Sequence, residues 1–539
     1  MKRARGYDPV LLEVFRNLFF AASEEMGVAL CLSSFSPNIK ERRDYSCAIF
    51  DREGKMAAQA AHLPAHLGSM PMSVEYVIDT MELAPGDVVV LNDPFRGGNH
   101  LPDITMISPV YAKGARGKSR LVYYVANRAH HSDVGGIAPG SMSITTEIFQ
   151  DGVVIPPVRL VREGKMDGDV LSLILANVRT PEEREGDLAA QIAANRVGER
   201  RLLEITGRHG LSMTLRYTRE LQAYAERLTR AAIRSIPDGA YRFEDAMEDD
   251  GFGSGPVPIR VVVTVKGDRL RVDFTGSAPQ TRGSVNAVES IARTAAYYAV
   301  RCLVPYDIPN NSGCMDPIEV IAPEGTVVNS RFPAAVAGGN VETSQRMVDV
   351  ILGALAKACP GLVPAASCGT MNNLSIGGID PRPGVRQGRP FAYYETTGGG
   401  MGGGPAGPGE DAIHTHLTNT MNTPIEALEH AYPFRVRRYG VRRGSGGRGQ
   451  HRGGDGIIRD IELRTDATVS FMTERREMAP YPLAGGMPGK KGRNSILSGK
   501  KRIPVPGKAR LEVRAGDVIS LETPGGGGWG KRPARRKKT

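Results

Sequence analysis

Histidine is scarce in this chain, at 10 of 539 residues, and tryptophan occurs once. The six cysteines, Cys31, Cys47, Cys302, Cys314, Cys359 and Cys368, are scattered and form no CxxC pair. Their spacing excludes a zinc ribbon or a thioredoxin-type motif, and in a chain of this length it argues for reduced thiols rather than a disulfide framework. No apolar run reaches the ~18 residues that would span a bilayer. The N-terminal MKRARGYDPV lacks the apolar core of a secretory signal. A soluble cytoplasmic protein without membrane contact is therefore expected. GxxxxGK[ST] and GxSxG are both missing, and no cysteine sits in a recognisable catalytic setting, which disfavours nucleotide chemistry by this chain alone and covalent catalysis. Internal repeats of about 20–50 residues are absent too, which excludes a solenoid.

What is present is ordinary in bulk, with 41% hydrophobic and 24% charged residues. Glycine is the exception: its 65 residues far exceed the background of roughly 7%, and they cluster, which points to turns and backbone-lined loops. Net charge is +11, concentrated in Phe434–Arg452 and in the C-terminal KRPARRKKT. No aromatic-interleaved basic platform accompanies it, so nucleic-acid binding is not expected.

The fold class expected is mixed α/β (α+β), a large composite enzyme subunit with β-rich segments and long helices. Its anticipated division is 1–237 as a site-bearing region, 238–392 as a middle α+β region, 393–530 as a glycine-rich β-rich region, and 531–539 as a disordered basic tail. Asp8-Pro9 supplies an N-cap and N1 pair before apolar residues at helical spacing, predicting a helix over 9–27. Further helices are expected over 70–83, 180–207, 211–235, 281–303 and 338–357. Hairpins are expected from 46–50 with 55–60 and from 260–265 with 269–274. Short buried strands at 87–91 and 121–126 each deliver a polar, histidine-bearing loop.

Those two loops, NDPFRGGNHLPD and NRAHHSDVGG, carry Asp93, His100, Asp103, His130, His131 and Asp133. Imidazole with carboxylate is a ligand set for Mn, Fe or Zn, and metal-assisted hydrolysis is the chemistry it suggests. Asp44, in KERRDYSCAIFD, is a further candidate. His100 and Asp103 can face one ion if the LPD segment turns. His130 and His131 point opposite ways in an extended segment, leaving one as ligand and the other near the substrate or supporting a ligand. His414 and His416 could form a second clamp, His62 and His66 lie by a proline turn, and His209 reads as structural. Cys47, close to Asp44, reads as a small packed hydrophobe. GGGMGGGPAG and TPGGGGWG have the look of phosphate cradles but lack the accompanying lysine pattern.

SPNIKERRDYSCAIFD, AAHLPAHLGSMP, GDVVVLNDPFRGGNHLPDI and NRAHHSDVGG, then GNVETSQRMVDVILGAL, YYETTGGGMGGGPAG, HTHLTNTMNTPIEALE and TPGGGGWG, resemble the hydantoinase B/5-oxoprolinase family. The resemblance runs from about residue 7 to about residue 530 and implies an N-methylhydantoinase B-type subunit of an ATP-dependent cyclic amide hydrolase. The implied partner is a hydantoinase A-type subunit that binds ATP and phosphorylates the carbonyl oxygen of a lactam or hydantoin, giving a hetero-oligomer. Metal-activated water would then attack the carbonyl carbon in this chain. The family pattern carries over onto Asp44, His100, Asp103 and His130 as metal ligands, with His131 and Asp133 as the next, catalytic, candidates and His414 and His416 on the substrate side. Arg43, Arg96 or Arg128 could meet the phosphate. A subunit of an acetone-type carboxylase is the main alternative, disfavoured by chain length, and a non-catalytic scaffold is another, disfavoured because every candidate ligand is present. The ring attached to the amide is left open: hydantoin, N-methylhydantoin, 5-oxoproline and caprolactam differ by small groups.

Overall fold

A computed structural model describes residues 7–66, 68–113, 119–304, 307–384 and 386–532. It is mixed α/β, with four sheets and helices between them. Residues 533–539, most of the expected basic tail, lie outside the described residues. Among the described residues no helix is long and apolar enough to cross a membrane.

The site-bearing sheet has seven strands in the order Met56–Gln59, Tyr45–Asp51, Ser119–His130, Asp103–Lys113, Val88–Leu91, Val158–Arg162, Lys165–Met166. Neighbours throughout are antiparallel. Both faces are covered, which is why these strands are apolar almost without alternation. Cys47, Ile49 and Val125 join Phe15, Phe19 and Met26 of the helix Pro9–Ser33 and Ala190 and Ala194 of the helix Pro181–His209. Ala48, Phe50, Val89, Leu91 and Ala126, on the opposite face, pack on Met70, Val74 and Val77 of the helix Ser69–Thr80.

Several elements differ from expectation. The first helix runs on to Ser33. Asp103–Lys113 is a strand that the pattern did not suggest, and its partner extends to His130 instead of ending at residue 126. Polar strand residues hid that extension because each is satisfied inside the protein: Asn127 donates to Gln191 O and Asn195 Oδ1, both at 2.8 Å, and Arg128 to Thr105 Oγ1 at 2.7 Å and Ser73 Oγ at 2.8 Å. Residues 281–288 are not helical; the Asn286 amide binds Thr281 O, Gly283 O and Ala335 O and holds them as a loop, so the helix begins at Glu289. The helix Ser344–Ala358 is entered through one π-helical turn, Gly339–Thr343.

Of the two anticipated boundaries, 237/238 falls between the helix Leu211–Ile233 and the strand Gly239–Met247. The other, 392/393, lies inside the strand Pro390–Glu395, whose sheet also contains Asn373–Ile379, Ala467–Met472 and Lys508–Val513. One apolar core runs from Ala65 to Met472 in sequence.

Candidate functional site

The loop before Asp103 is shaped by its own side chains. Asn92 donates to Leu101 O at 2.8 Å and Val153 O at 3.0 Å, and its Oδ1 accepts from Ile155 N. Asp93 caps the short turn Pro94–Arg96 through Phe95 N and pairs with Arg96 at 3.2 Å; its role is local. Asp103 N donates to His100 O at 3.1 Å. This tight turn brings His100 and Asp103 to one side.

Across the sheet, Asp103 is the direct partner of His130. On the other flank Tyr45 pairs with Ala129, and His130 N donates to Asp44 O at 3.0 Å. Asp44, His130 and Asp103 therefore form one row at the end of three adjacent strands. Asp103 Oδ1 lies 3.2 Å from His100 Nε2 and 3.1 Å from His130 Nδ1. Its Oδ2 lies 3.3 Å from His66 Nε2 and accepts from Asn99 Nδ2 at 2.6 Å. His66 Nδ1 is 2.8 Å from Ser46 Oγ. All four ring and carboxylate groups are buried. Burial alone would raise the Asp103 carboxyl, but His100, and hydrogen bonds with His100, His130 and His66, hold it well below the usual carboxylate range. Burial, only partly offset by Asp103, lowers His66 and His130. Asp44 is pushed up by burial, against the charges of His130 and Arg42.

The donor set fits a cation. His100 Nδ1 faces the Ala337 carbonyl at 3.3 Å, and a carbonyl only accepts, so in the neutral ring Nε2 carries a lone pair. That lone pair faces the Asp103 oxygen, an arrangement held by a shared proton or a metal ion. His130 Nε2 is buried with no hydrogen-bond partner. One ligand atom each from His100, Asp103 and His130 falls within a 4.8 Å group, compatible with bonds of about 2.0–2.2 Å to one ion. Asp44 is not in that group but lines the same cavity with His66, Asp103 and His130. The space open to the centre of a water molecule there is about 20 Å³, room for one water or ion.

Other predicted residues lie elsewhere. His131 turns to the opposite side, with Nε2 3.0 Å from Gln191 Oε1; burial and then Arg184 lower its pKa. Asp133 accepts from Gly135 N, Gly140 N and Arg179 and organises its loop. Neither lines the cavity, so the catalytic assignment expected for these two residues has no geometric support. Arg128 is held by hydroxyls, Arg96 by Asp93, and Arg43 occupies a turn position with φ 54°. His62 Nδ1 accepts from Cys47 N. His414 Nε2 faces Asn422 Oδ1 at 3.0 Å, whereas His416 Nε2 faces Asp349 Oδ1 at 3.2 Å, so the two do not share an ion. The glycine loops are not cradles, since their amides are spent on carbonyls: Gly403 N on Gly527 O, Gly526 N on Gly454 O, Gly527 N on Ala366 O.

His66 ranked low in the sequence and Asn340 was not singled out at all. Asn340 Nδ2 lies 3.1 Å from His100 Nε2, from a π-turn that no local pattern reveals. The ring of Tyr394 stacks on His130 with centroids 4.3 Å apart.

A family profile described as hydantoinase B/oxoprolinase matches residues 8–532. The protein belongs to the hydantoinase B/oxoprolinase family. Among its relatives, an uncharacterized protein of Methanocaldococcus jannaschii is 39% identical, over 97% of this chain and 91% of that protein. 5-Oxoprolinase 1 of Arabidopsis thaliana is 38% identical over 97% of this chain, which spans only 42% of the plant protein. In three dimensions this hydantoinase B/oxoprolinase chain is similar to the ATP-dependent caprolactamase from Pseudomonas jessenii, with TM-score 0.90 and 30% identity, covering 99% of this chain and 93% of that one.

Proposed function

We propose that this chain is the hydrolytic, B-type component of an ATP-dependent cyclic amide hydrolase, and that Asp44, His100, Asp103 and His130 hold a divalent first-row metal. The observation that carries the reading is the single Asp103 oxygen approached by two buried imidazole nitrogens at 3.1 and 3.2 Å beside a cavity of one-water size. A cation bound there would lower the pKa of a water molecule and polarise an oxygen. The chain's own residues do the positioning. Ser46 orients His66, His66 and Asn99 fix one Asp103 oxygen, and the other is left for His100 and His130. Burial excludes bulk water.

An unactivated amide is a poor electrophile. In the proposed sequence a partner transfers the terminal phosphoryl group of ATP to the amide oxygen. A water oxygen then bonds to the ring carbon, the C–N bond breaks, and the ring nitrogen takes a proton. The resulting acyl phosphate loses phosphate to a second water. The partner is inferred because this chain spans 42% of a single-chain 5-oxoprolinase, so the activating chemistry belongs to the remainder, supplied here by an A-type subunit.

The test is elemental analysis of the chain purified with its A-type partner, followed by a screen of hydantoin, N-methylhydantoin, 5-oxoproline and caprolactam with ATP. Stoichiometric metal and ATP-dependent ring opening are expected, both abolished in His100→Ala. Full turnover by metal-free protein, or by His100→Ala with metal still bound, would overturn the ligand assignment. A requirement for bicarbonate would make the protein a carboxylase.

A further inference from the structure

Facing the carboxylate–imidazole row, the cavity is lined by the hydroxyls of Thr396, Thr418 and Thr420. Behind them lies Arg42, fully buried. Its Nη2 donates to Thr396 Oγ1 and, at 3.4 Å, to Thr420 Oγ1, while Nη1 reaches Asn38 Oδ1 and Tyr394 O and Nε reaches Met421 O. The carboxylate of Asp44 stands 4.0 Å off, beyond hydrogen-bond distance. A buried guanidinium without a directly hydrogen-bonded carboxylate is costly, and its charge is directed into the cavity through the threonines.

Proton directions can be followed residue by residue. Asn422 Nδ2 donates to Glu395 Oε1, so Oδ1 is the atom turned to His414 Nε2. His414 therefore carries its proton on Nε2, and its bare Nδ1 takes the Thr418 hydroxyl at 3.3 Å. Thr396 and Thr420 lie 3.0 Å apart and both accept from Arg42. Only one of their two protons is used between them. The other has only Thr418 Oγ1, 3.4 Å from Thr420, as an alternative to a ligand in the cavity. An arginine-polarised hydroxyl with a proton to give, in a space of about 20 Å³, suits one anionic oxygen atom.

We propose that Thr396 and Thr420, backed by Arg42, form the subsite for a phosphoryl oxygen of the activated substrate, opposite the Asp44–His130–Asp103 row. The inference rests on the hydrolase reading above and deepens it: one wall holds the attacking side, the other the activating group.

The test uses the metal-loaded chain with Mn²⁺, in wild type, Thr396→Val, Thr420→Val, the double variant and the Thr→Ser counterparts. Metal content is measured first, then inorganic phosphate binding by Mn²⁺-induced broadening of its ³¹P resonance, then kcat/KM in the complex with partner and ATP. Expected are unchanged metal content, phosphate affinity lowered about tenfold or more in the double variant, as for loss of a hydrogen bond to a charged group, a parallel fall in kcat/KM, and recovery with serine. Phosphate bound equally by wild type and double variant, or not bound by metal-loaded wild type, would overturn the subsite. Weakened phosphate binding with unchanged kcat/KM would also overturn it, by assigning the pocket to free phosphate alone. Wild-type protein that takes up no metal defeats the hydrolase reading instead, so the two failures are distinguishable.

Discussion

Asp103 and His130 are direct partners across two antiparallel strands, with carboxylate and imidazole 3.1 Å apart. His100 reaches the same carboxylate oxygen from the preceding turn. Asp103→Asn removes the negative charge at the meeting point while keeping the shape of the side chain. Metal affinity is expected to fall at least ~100-fold, with ring opening lost and the circular dichroism spectrum retained. Wild-type metal content in dialysed Asp103→Asn protein would contradict the assignment.

His66 holds the other Asp103 oxygen without joining the three-residue group. His66→Gln should therefore weaken metal binding about 10–100-fold rather than abolish it. Competition against a chelator of known affinity measures the difference.

His131 provides the contrast, because it is adjacent in sequence but faces Gln191. In His131→Asn, metal content and turnover should stay near wild type, while stability drops by about 1–2 kcal/mol from the disturbed buried polar contact. Urea unfolding and elemental analysis on the same preparation read both. Loss of metal here would move the site to the other side of the strand.

Glu342 gives a pH signature. Burial, then the charge of Glu474, pushes its carboxyl up to about 8, against Thr370, Lys508 and Arg476. Its unfolded value is about 4.3. The folded protein therefore binds a proton that the unfolded chain releases. The stabilisation is fully present below about pH 4.3 and is lost as pH rises through about 8. Glu342→Gln keeps an acceptor for Met371 N and Asn373 Nδ2 but does not ionise. Its stability relative to wild type should rise with pH across that window in urea unfolding series. A constant difference would show that Glu342 titrates normally.

At Gly402 an added Cβ would overlap the carbonyl oxygen of Ala365, a backbone atom that cannot swing away. Gly402→Ala is expected to destabilise by more than ~2 kcal/mol, read as a lowered unfolding midpoint, despite lying in a segment that reads as flexible.

Much of this architecture is legible in the sequence. Asp8-Pro9 marks the first helix, the apolar runs mark the central strands, and His100, Asp103 and His130 fall in the two densest histidine–carboxylate segments. The remainder depends on tertiary partners. The strand through Asn127 and Arg128 looks like a loop because its polar side chains are satisfied by Gln191, Asn195, Thr105 and Ser73, distant in sequence. Side-chain direction separates His130 from His131, and only the register against residue 103 says which faces the cavity. Asn340 and the threonine wall come from segments more than two hundred residues beyond Asp103, brought in by sheets whose pairing no local period encodes.

The glycine segment 524–530 lies between the loops at 400–403, 445–454 and 481–489, accepting and donating main-chain hydrogen bonds on both sides. The loop at 400–403 follows directly on Thr396, one wall of the cavity. On the ribosome, then, the hydroxyl wall has no fixed scaffold until nearly all of the polypeptide has been made. The earlier sheet, with its histidines, can form long before, so a nascent chain would pass through a stage with the cation-binding row assembled and its opposite wall still open.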